Sequence, residues 1–223
     1  MKVEDLHSWK LGIPEALRLQ QSLAHLVCYK DEISEVRWVG GVDISAPNSQ
    51  GCARGAVVIL DYPSLHTVEV KIVEEKVEFP YVPGLLSFRE APLIISAFRM
   101  VEKVPQLLIV DGQGIAHPRR LGLASHLGVI LDLPTIGCAK SLLCGKVAEV
   151  GSEAGSFSLI WEGEEVLGAA LRTKRNARPV YISIGHRTDL EGALKWILNL
   201  CQGYRLPEPT RRAHNACSAN TKC

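Results

Sequence analysis

The chain has 223 residues, of which 47% are hydrophobic and 22% charged, with 25 Lys and Arg against 24 Asp and Glu. That is enough apolar chain for one sizeable core, and it excludes global disorder. A formal charge of +1 excludes a histone-like or polybasic protein, but it leaves room for a local basic patch that meets nucleic acid.

Residues 14–29 place Leu17, Leu19, Leu23, Leu26 and Val27 mostly on one helical face, which predicts an amphipathic packing helix. Three runs rich in Val and Ile, at 36–44, 53–60 and 67–77, predict strands. Their connections are too short for crossover helices, so the three form an antiparallel meander. The pattern then changes. Residues 87–104 read as a helix, 106–110 as a short apolar strand, 119–131 as a helix, and 134–138 as the start of another short strand. Residues 156–161 and 165–171 predict a hairpin turning at Gly163, followed by a strand at 180–184 and a helix at 190–200. Strands first, then alternating strands and helices, predict an α/β protein with one mixed sheet flanked by helices. The chain reads as a single domain over 1–223. Its end, RAHNACSANTKC, lacks apolar periodicity and reads as a fraying tail after about residue 214.

No apolar run reaches the ~18 residues of a membrane span, and the opening MKVEDLHSWKLG is too polar for a secretory signal. Seven scattered cysteines predict free thiols in a reducing cytoplasm. His214, Cys217 and Cys223 lack the C-x2-C pair of a structural zinc site. Heptads and large apolar stripes are absent, which predicts a monomer.

Chemistry concentrates at the strand ends. Asp43 ends the run RWVGGVD and Asp111 ends QLLIVD. A buried acid is costly unless paired, hydrogen-bonded or bound to a cation. Each alone could cap the next loop, but as a pair with glycine neighbours they favour a hard cation such as Mg2+. Glu90 is a third acid. With Ser87 it fits the S-x-x-E capping box, so helix capping outweighs metal binding on the residues alone. The segment DGQGIAHPRRLGLASHLGVILDLPTIGCAK gathers glycines, His117, Arg119, Arg120, His126 and Lys140 just after a buried strand, in a loop of poor propensity and rich chemistry. In FPYVPGLLSFRE, Pro80 and Pro83 stiffen a loop that holds Tyr81 and Val82. A wedge between stacked bases and ordinary core packing are equally compatible with that composition. Arg172, Lys174, Arg175 and Arg178, with Arg205, Arg211 and Arg212, fit phosphate contacts or a solvated face. The phosphate-loop, dinucleotide, H-E-x-x-H and G-x-S-x-G motifs are missing, which counts against NTPase, oxidoreductase, zincin and hydrolase-triad chemistry.

GGVDIS, FPYVPGLLSFRE and DGQGIAHPRRLGLASHLGVILDLPTIGCAKSLL together resemble endonuclease V, as do LRTKRNARPVYISIGHR and EPTRRAH. The resemblance runs over residues 13–214. It departs at Cys138, where the family usually has a small aliphatic residue, and in the tail after His214. It implies a ribonuclease H-like mixed sheet. It also implies a Mg2+-dependent DNA repair endonuclease, with Mn2+ as a substitute, that recognises deoxyinosine. Such an enzyme cuts the second phosphodiester bond 3′ to the lesion and leaves 3′-hydroxyl and 5′-phosphate ends. By motif position, Asp43, Glu90 and Asp111 correspond to the metal cluster, Lys140 to an active-site lysine and His214 to a late histidine near the metal. Pro80, Tyr81, Val82 and Pro83 correspond to a strand-separating wedge. Gly84, Leu86, Gly112 and Gly122 correspond to the base pocket, and His117 and Arg119 fall in the same DNA-binding blocks. Three other readings stand beside this one: an inosine-specific endoribonuclease, a non-catalytic nucleic-acid-binding module, and a structural protein whose acids only cap loops.

Overall fold

The computed structural model describes residues 6–218. Its strands are β1 (Trp38–Ile44), β2 (Cys52–Asp61), β3 (Thr67–Lys76), β4 (Leu107–Val110), β5 (Thr135–Ala139), β6 (Lys146–Val147), β7 (Phe157–Glu162), β8 (Glu165–Leu171) and β9 (Val180–His186). Its helices are α1 (Ile13–Leu23), α2 (Leu86–Phe98), α3 (Leu123–Leu131), α4 (Leu190–Leu200) and α5 (Glu208–Ser218). All the strands join one sheet in the order β3-β2-β1-β4-β5-β9-β8-β7-β6. The meander β1–β3 is antiparallel, as its short connections require, and β1, β4 and β5 run parallel at the centre. The remaining strands return antiparallel. This is the mixed, helix-flanked sheet expected from the order of elements.

Both faces of the centre are covered. On one face Val42, Leu108 and Val110 pack under α2 and α3; on the other Val39, Leu107 and Ile109 pack under α4 and α5. That double cover explains why β4 is apolar at every position and does not alternate.

Four boundaries differ from expectation. The first helix stops at Leu23, with one tighter turn to Leu26 in place of a run to 29. Helix α2 stops at Phe98, because the Glu69 carboxylate accepts hydrogen bonds from the backbone N–H of Glu102 (2.9 Å) and Lys103 (2.8 Å) and draws the chain out of the helical path. Helix α3 starts at Leu123, not at 119, since Arg120 holds a left-handed φ of 55° that a right-handed helix cannot contain. The largest difference is α5. Its sequence is polar, yet Pro209, Ala213 and Cys217 are buried at i, i+4 and i+8 against the sheet. Glu208, only 2% exposed, pairs with Arg211 and Arg212. The chain therefore does not fray from 214, and the rest of the expected tail lies outside the described residues. Among the described residues the six cysteines are free thiols, and no helix is long and apolar enough to cross a membrane.

Candidate active site

Asp43 and Asp111 are neighbours by register. Val42 pairs with Val110 in the parallel ladder between β1 and β4, so the next residue of each strand is the acid. Open parallel sheets place ligands at this carboxyl end of their strands. Lys140 follows β5, the next strand over, and forms an ion pair with Asp111. His214 comes from α5, where its Nδ1 donates to an Asp43 carboxylate oxygen at 2.8 Å. Glu90 comes from α2 on the opposite face of the sheet and feels both aspartates.

Gly41 explains how α5 gets there. A Cβ at Gly41 would lie 2.1 Å from the backbone oxygen of Pro209, so only glycine lets the start of α5 rest on β1. One turn beyond His214, the Cys217 thiol donates to the backbone oxygen of Asp43. The helix therefore grips Asp43 at two points.

The electrostatics follow from this crowding. Burial, then the negative charges of Asp43 and Asp111, push the Glu90 carboxyl up to about 8. Burial also raises Asp111 above the usual carboxylate range, although Lys140 opposes it. For Lys140 itself burial pulls downward, but the Asp111 carboxylate outweighs it and holds the ammonium above its ordinary range. Ser87 and Glu90 make no capping box. Leu85 is the N-cap of α2, no side chain caps it, and the buried Ser87 hydroxyl has no hydrogen-bond partner. Glu90 thus lies inside the helix, where nothing about capping requires a carboxylate.

Asp111 and Lys140 also line a cleft of about 310 Å3. Its other walls include Tyr81, Val82, Pro83, Gly84, Leu86, Gly112, His117 and Gly122, so the structure brings most of the expected base-pocket and wedge residues to one opening. Within the loop, Val82 packs near Phe79, Leu85 and Phe88, while Tyr81 projects outward, 72% exposed; Pro80 and Pro83 are also exposed. The loop is therefore anchored on one side and presents an aromatic on the other.

His117 and Arg119 sit behind this surface. The buried His117 accepts from the Arg119 backbone N–H at Nδ1, so its Nε2 carries the hydrogen and donates to the Gly84 oxygen (3.0 Å). Burial and the Arg119 charge hold it down to about 4, hence neutral. The Arg119 guanidinium donates to the same Gly84 oxygen (2.8 Å). Gly84 has φ of 78°, a conformation that favours glycine, and a Cβ there would press on Arg119 Nη2 at 2.7 Å and displace the guanidinium.

Several members of the basic cluster have partners within the chain. Arg172 donates to the backbone oxygens of Val150, Gly151 and Ala177, Arg175 pairs with Glu153, and Arg120 pairs with Glu162 and Glu165. Arg205 donates to the oxygens of Lys140, Arg178 and Pro179. Arg211 and Arg212 are held by Glu208. Arg172 and Arg205 thus fix loops, including the one that carries Lys140. Sequence reasoning missed Gly41, Gln20, Glu208 and Cys217 as parts of the site's support. Only Glu208 left a signal, in its i+3 and i+4 spacing to two arginines.

The endonuclease V family pattern matches residues 21–215, nearly the whole chain. The chain belongs to the endonuclease V family. It is 47% identical over 216 residues to an endonuclease V of Dehalococcoides mccartyi, covering 97% of both chains. The crystal structure of the Streptomyces avermitilis endonuclease V is similar at TM-score 0.89 and 40% identity, over 94% of this chain and 93% of that one. The Ciona intestinalis endonuclease V, crystallised with DNA containing an inosine followed by a ribo-adenosine, is similar at TM-score 0.81 and 30% identity, over 92% and 95%. The protein is accordingly an endonuclease, a hydrolase of phosphodiester bonds.

Proposed function

We propose that this endonuclease nicks DNA at deoxyinosine with the help of Mg2+. It cuts the second phosphodiester bond 3′ to the lesion and leaves 3′-hydroxyl and 5′-phosphate ends. The observation that carries the reading is the shared cleft: Asp111 and Lys140 line the same opening as Tyr81 and the glycines of the base pocket. Chemistry and base recognition then meet on one strand. The cut position follows the family resemblance.

Among the described residues, no three His, Cys, Asp or Glu side chains are drawn together into a ready cage for an ion. The donor set nevertheless fits a hard cation. Asp43, Glu90 and Asp111 offer only carboxylate oxygens, and burial, with the neighbouring carboxylates adding to it, raises Glu90 and Asp111, a cost that a bound dication would offset. These three would hold the metal, which when bound activates water and neutralises charge on the phosphate. Lys140 places an ammonium beside Asp111, where it can stabilise the phosphate oxygens as negative charge builds. His214 is oriented through Nδ1, which leaves Nε2 free to carry a proton to or from the reacting strand.

The base is rotated out of the stack into the cleft that Gly84, Gly112 and Gly122 line. Guanine shares the six-position oxygen of hypoxanthine but adds an amine, which a close-fitting wall without an acceptor rejects. A second reading, cleavage of inosine-containing RNA, draws on the ribo-adenosine in the strand bound by the Ciona relative. The test is incubation with end-labelled deoxy- and ribo-strands that differ only in one inosine, in Mg2+ or EDTA. A Mg2+-dependent product ending at the second bond 3′ of deoxyinosine supports the proposal. Cutting without regard to inosine, or undiminished cutting in EDTA, overturns it.

A further inference from the structure

Gln20 is an anomaly in α1. Its neighbours at helical spacing, Ala16 and Leu23, form the buried face of an ordinary packing helix, and at 0% exposure Gln20 stands where a leucine would suffice. A buried amide is costly unless its hydrogen bonds are met. Here they are met by three partners from two separate segments of the chain, the loop ending at Gly84 and residues 119–121. Its Nε2 donates to the Leu121 oxygen at 2.6 Å and to the Gly84 oxygen at 3.1 Å, and its Oε1 accepts from Arg119 Nε at 2.5 Å.

Those partners belong to two segments that border the cleft. Gly84 closes the loop that carries Tyr81, and Leu121 precedes Gly122, which also lines the cleft. The Gly84 oxygen has two lone pairs but three donors around it, from Gln20, His117 and Arg119, so that peptide is held in one orientation. The next backbone bond, from Leu85 N–H to the Val82 oxygen (2.9 Å), passes the constraint on to the wedge. Tyr81 itself is exposed and is fixed through this base.

We propose that Gln20 is a positioning residue that ties the wedge loop to the 119–121 segment beside the cleft, and so sets how well the enzyme opens a paired strand around the base. This rests on the reading of the cleft as a base pocket. A loose wedge regains the entropy that its stiffness had removed, and this cost falls on substrates that must be unstacked. Single strands need no such opening.

Gln20→Glu tests the inference, because it keeps the shape and the Arg119 contact but cannot donate to Gly84 or Leu121. Gln20→Met, close in volume and without polar atoms, is its companion should the buried carboxylate impair folding. Both are assayed below their melting temperatures on duplex and single-stranded DNA with one deoxyinosine. The expected result is a KM for duplex raised about tenfold or more, as for the loss of a buried hydrogen bond, with kcat and single-strand KM within about threefold of wild type. In EDTA, 2-aminopurine beside the inosine should brighten less on duplex binding by the variants. Equal losses on both substrates, a loss in kcat alone, or wild-type kinetics on duplex would overturn the inference. If the wild-type protein does not distinguish inosine from adenosine, the functional reading fails instead, and that outcome is visible before any variant is made.

Discussion

Replacing Glu90 with glutamine keeps the shape of the side chain and removes its charge, and its consequences separate a metal ligand from a packing residue. In the native protein burial and the two aspartates hold Glu90 up to about 8, against an ordinary 4.5. Between those values the folded chain keeps a proton that the unfolded chain has released. Stability therefore falls as pH rises across this window. At 1.36 kcal/mol for each pH unit, the gap sets an upper bound of about 5 kcal/mol on the loss. Glutamine does not titrate. Metal-free Glu90→Gln should match wild type at pH 5 and exceed it by several kcal/mol at pH 9, read from urea unfolding in EDTA. In Mg2+ the same variant should lose nicking by about a hundredfold or more. A wild-type pH slope in the variant, or near-normal nicking, would refute the account of Glu90.

Four further outcomes are expected. Asp43→Asn and Asp111→Asn should each abolish Mg2+-dependent nicking of inosine DNA while the circular dichroism spectrum stays native. Gly41→Ala touches no acid, yet it should cost about 1–3 kcal/mol in denaturant unfolding and most of the activity, because its methyl group drives α5 and His214 away from Asp43. Truncation after Thr210 removes His214 and Cys217, and should abolish nicking and lower the melting temperature; full activity would exclude His214 from the mechanism. Tyr81→Ala should weaken cleavage of duplex more than single strand, because stacking worth roughly 1–3 kcal/mol is lost where a base must be withdrawn from a helix; equal losses would make residues 80–83 ordinary packing.

The sheet was legible in the sequence because its strands carry their own signal. The short connections of 36–77 allow only a meander, and LLIV followed by Asp marks a covered central strand with an acid at its end. Helix α5 was not legible. Its residues EPTRRAHNACS have no apolar stripe, and its stability comes from docking at Ala213 and Cys217 and from the glycine beneath Pro209. The same limit applies to the arginines. Their clustering was compatible with phosphate contacts or a solvated face and did not reveal that a guanidinium's five donors suit backbone oxygens as well, as those of Arg172 and Arg205 do in bracing loops. The S-x-x-E pattern at Ser87 misled for a related reason, since α2 begins at Leu86 with Leu85 as its N-cap and leaves Ser87 inside the first turn.

These contacts also bear on how the acids coexist before an ion arrives. Asp111 leans on Lys140, Asp43 on His214, and Glu90 keeps its proton at neutral pH, so each of the three carboxyl groups is quieted by a different means. Two of those means come from loops and helices far away in the chain. Lys140 is carried by a turn whose backbone Arg205 holds, and His214 by a helix that only Gly41 admits. Binding a dication would make all three carboxylates useful at once and would require Glu90 to give up its proton, since a metal ligand must be deprotonated. The cost of ionising Glu90, mostly burial with the two aspartates adding to it, is one that a bound cation would offset. An arrangement that is awkward for folding becomes favourable for holding a metal beside a phosphate, which is the trade expected where buried acids are kept for chemistry and not for stability.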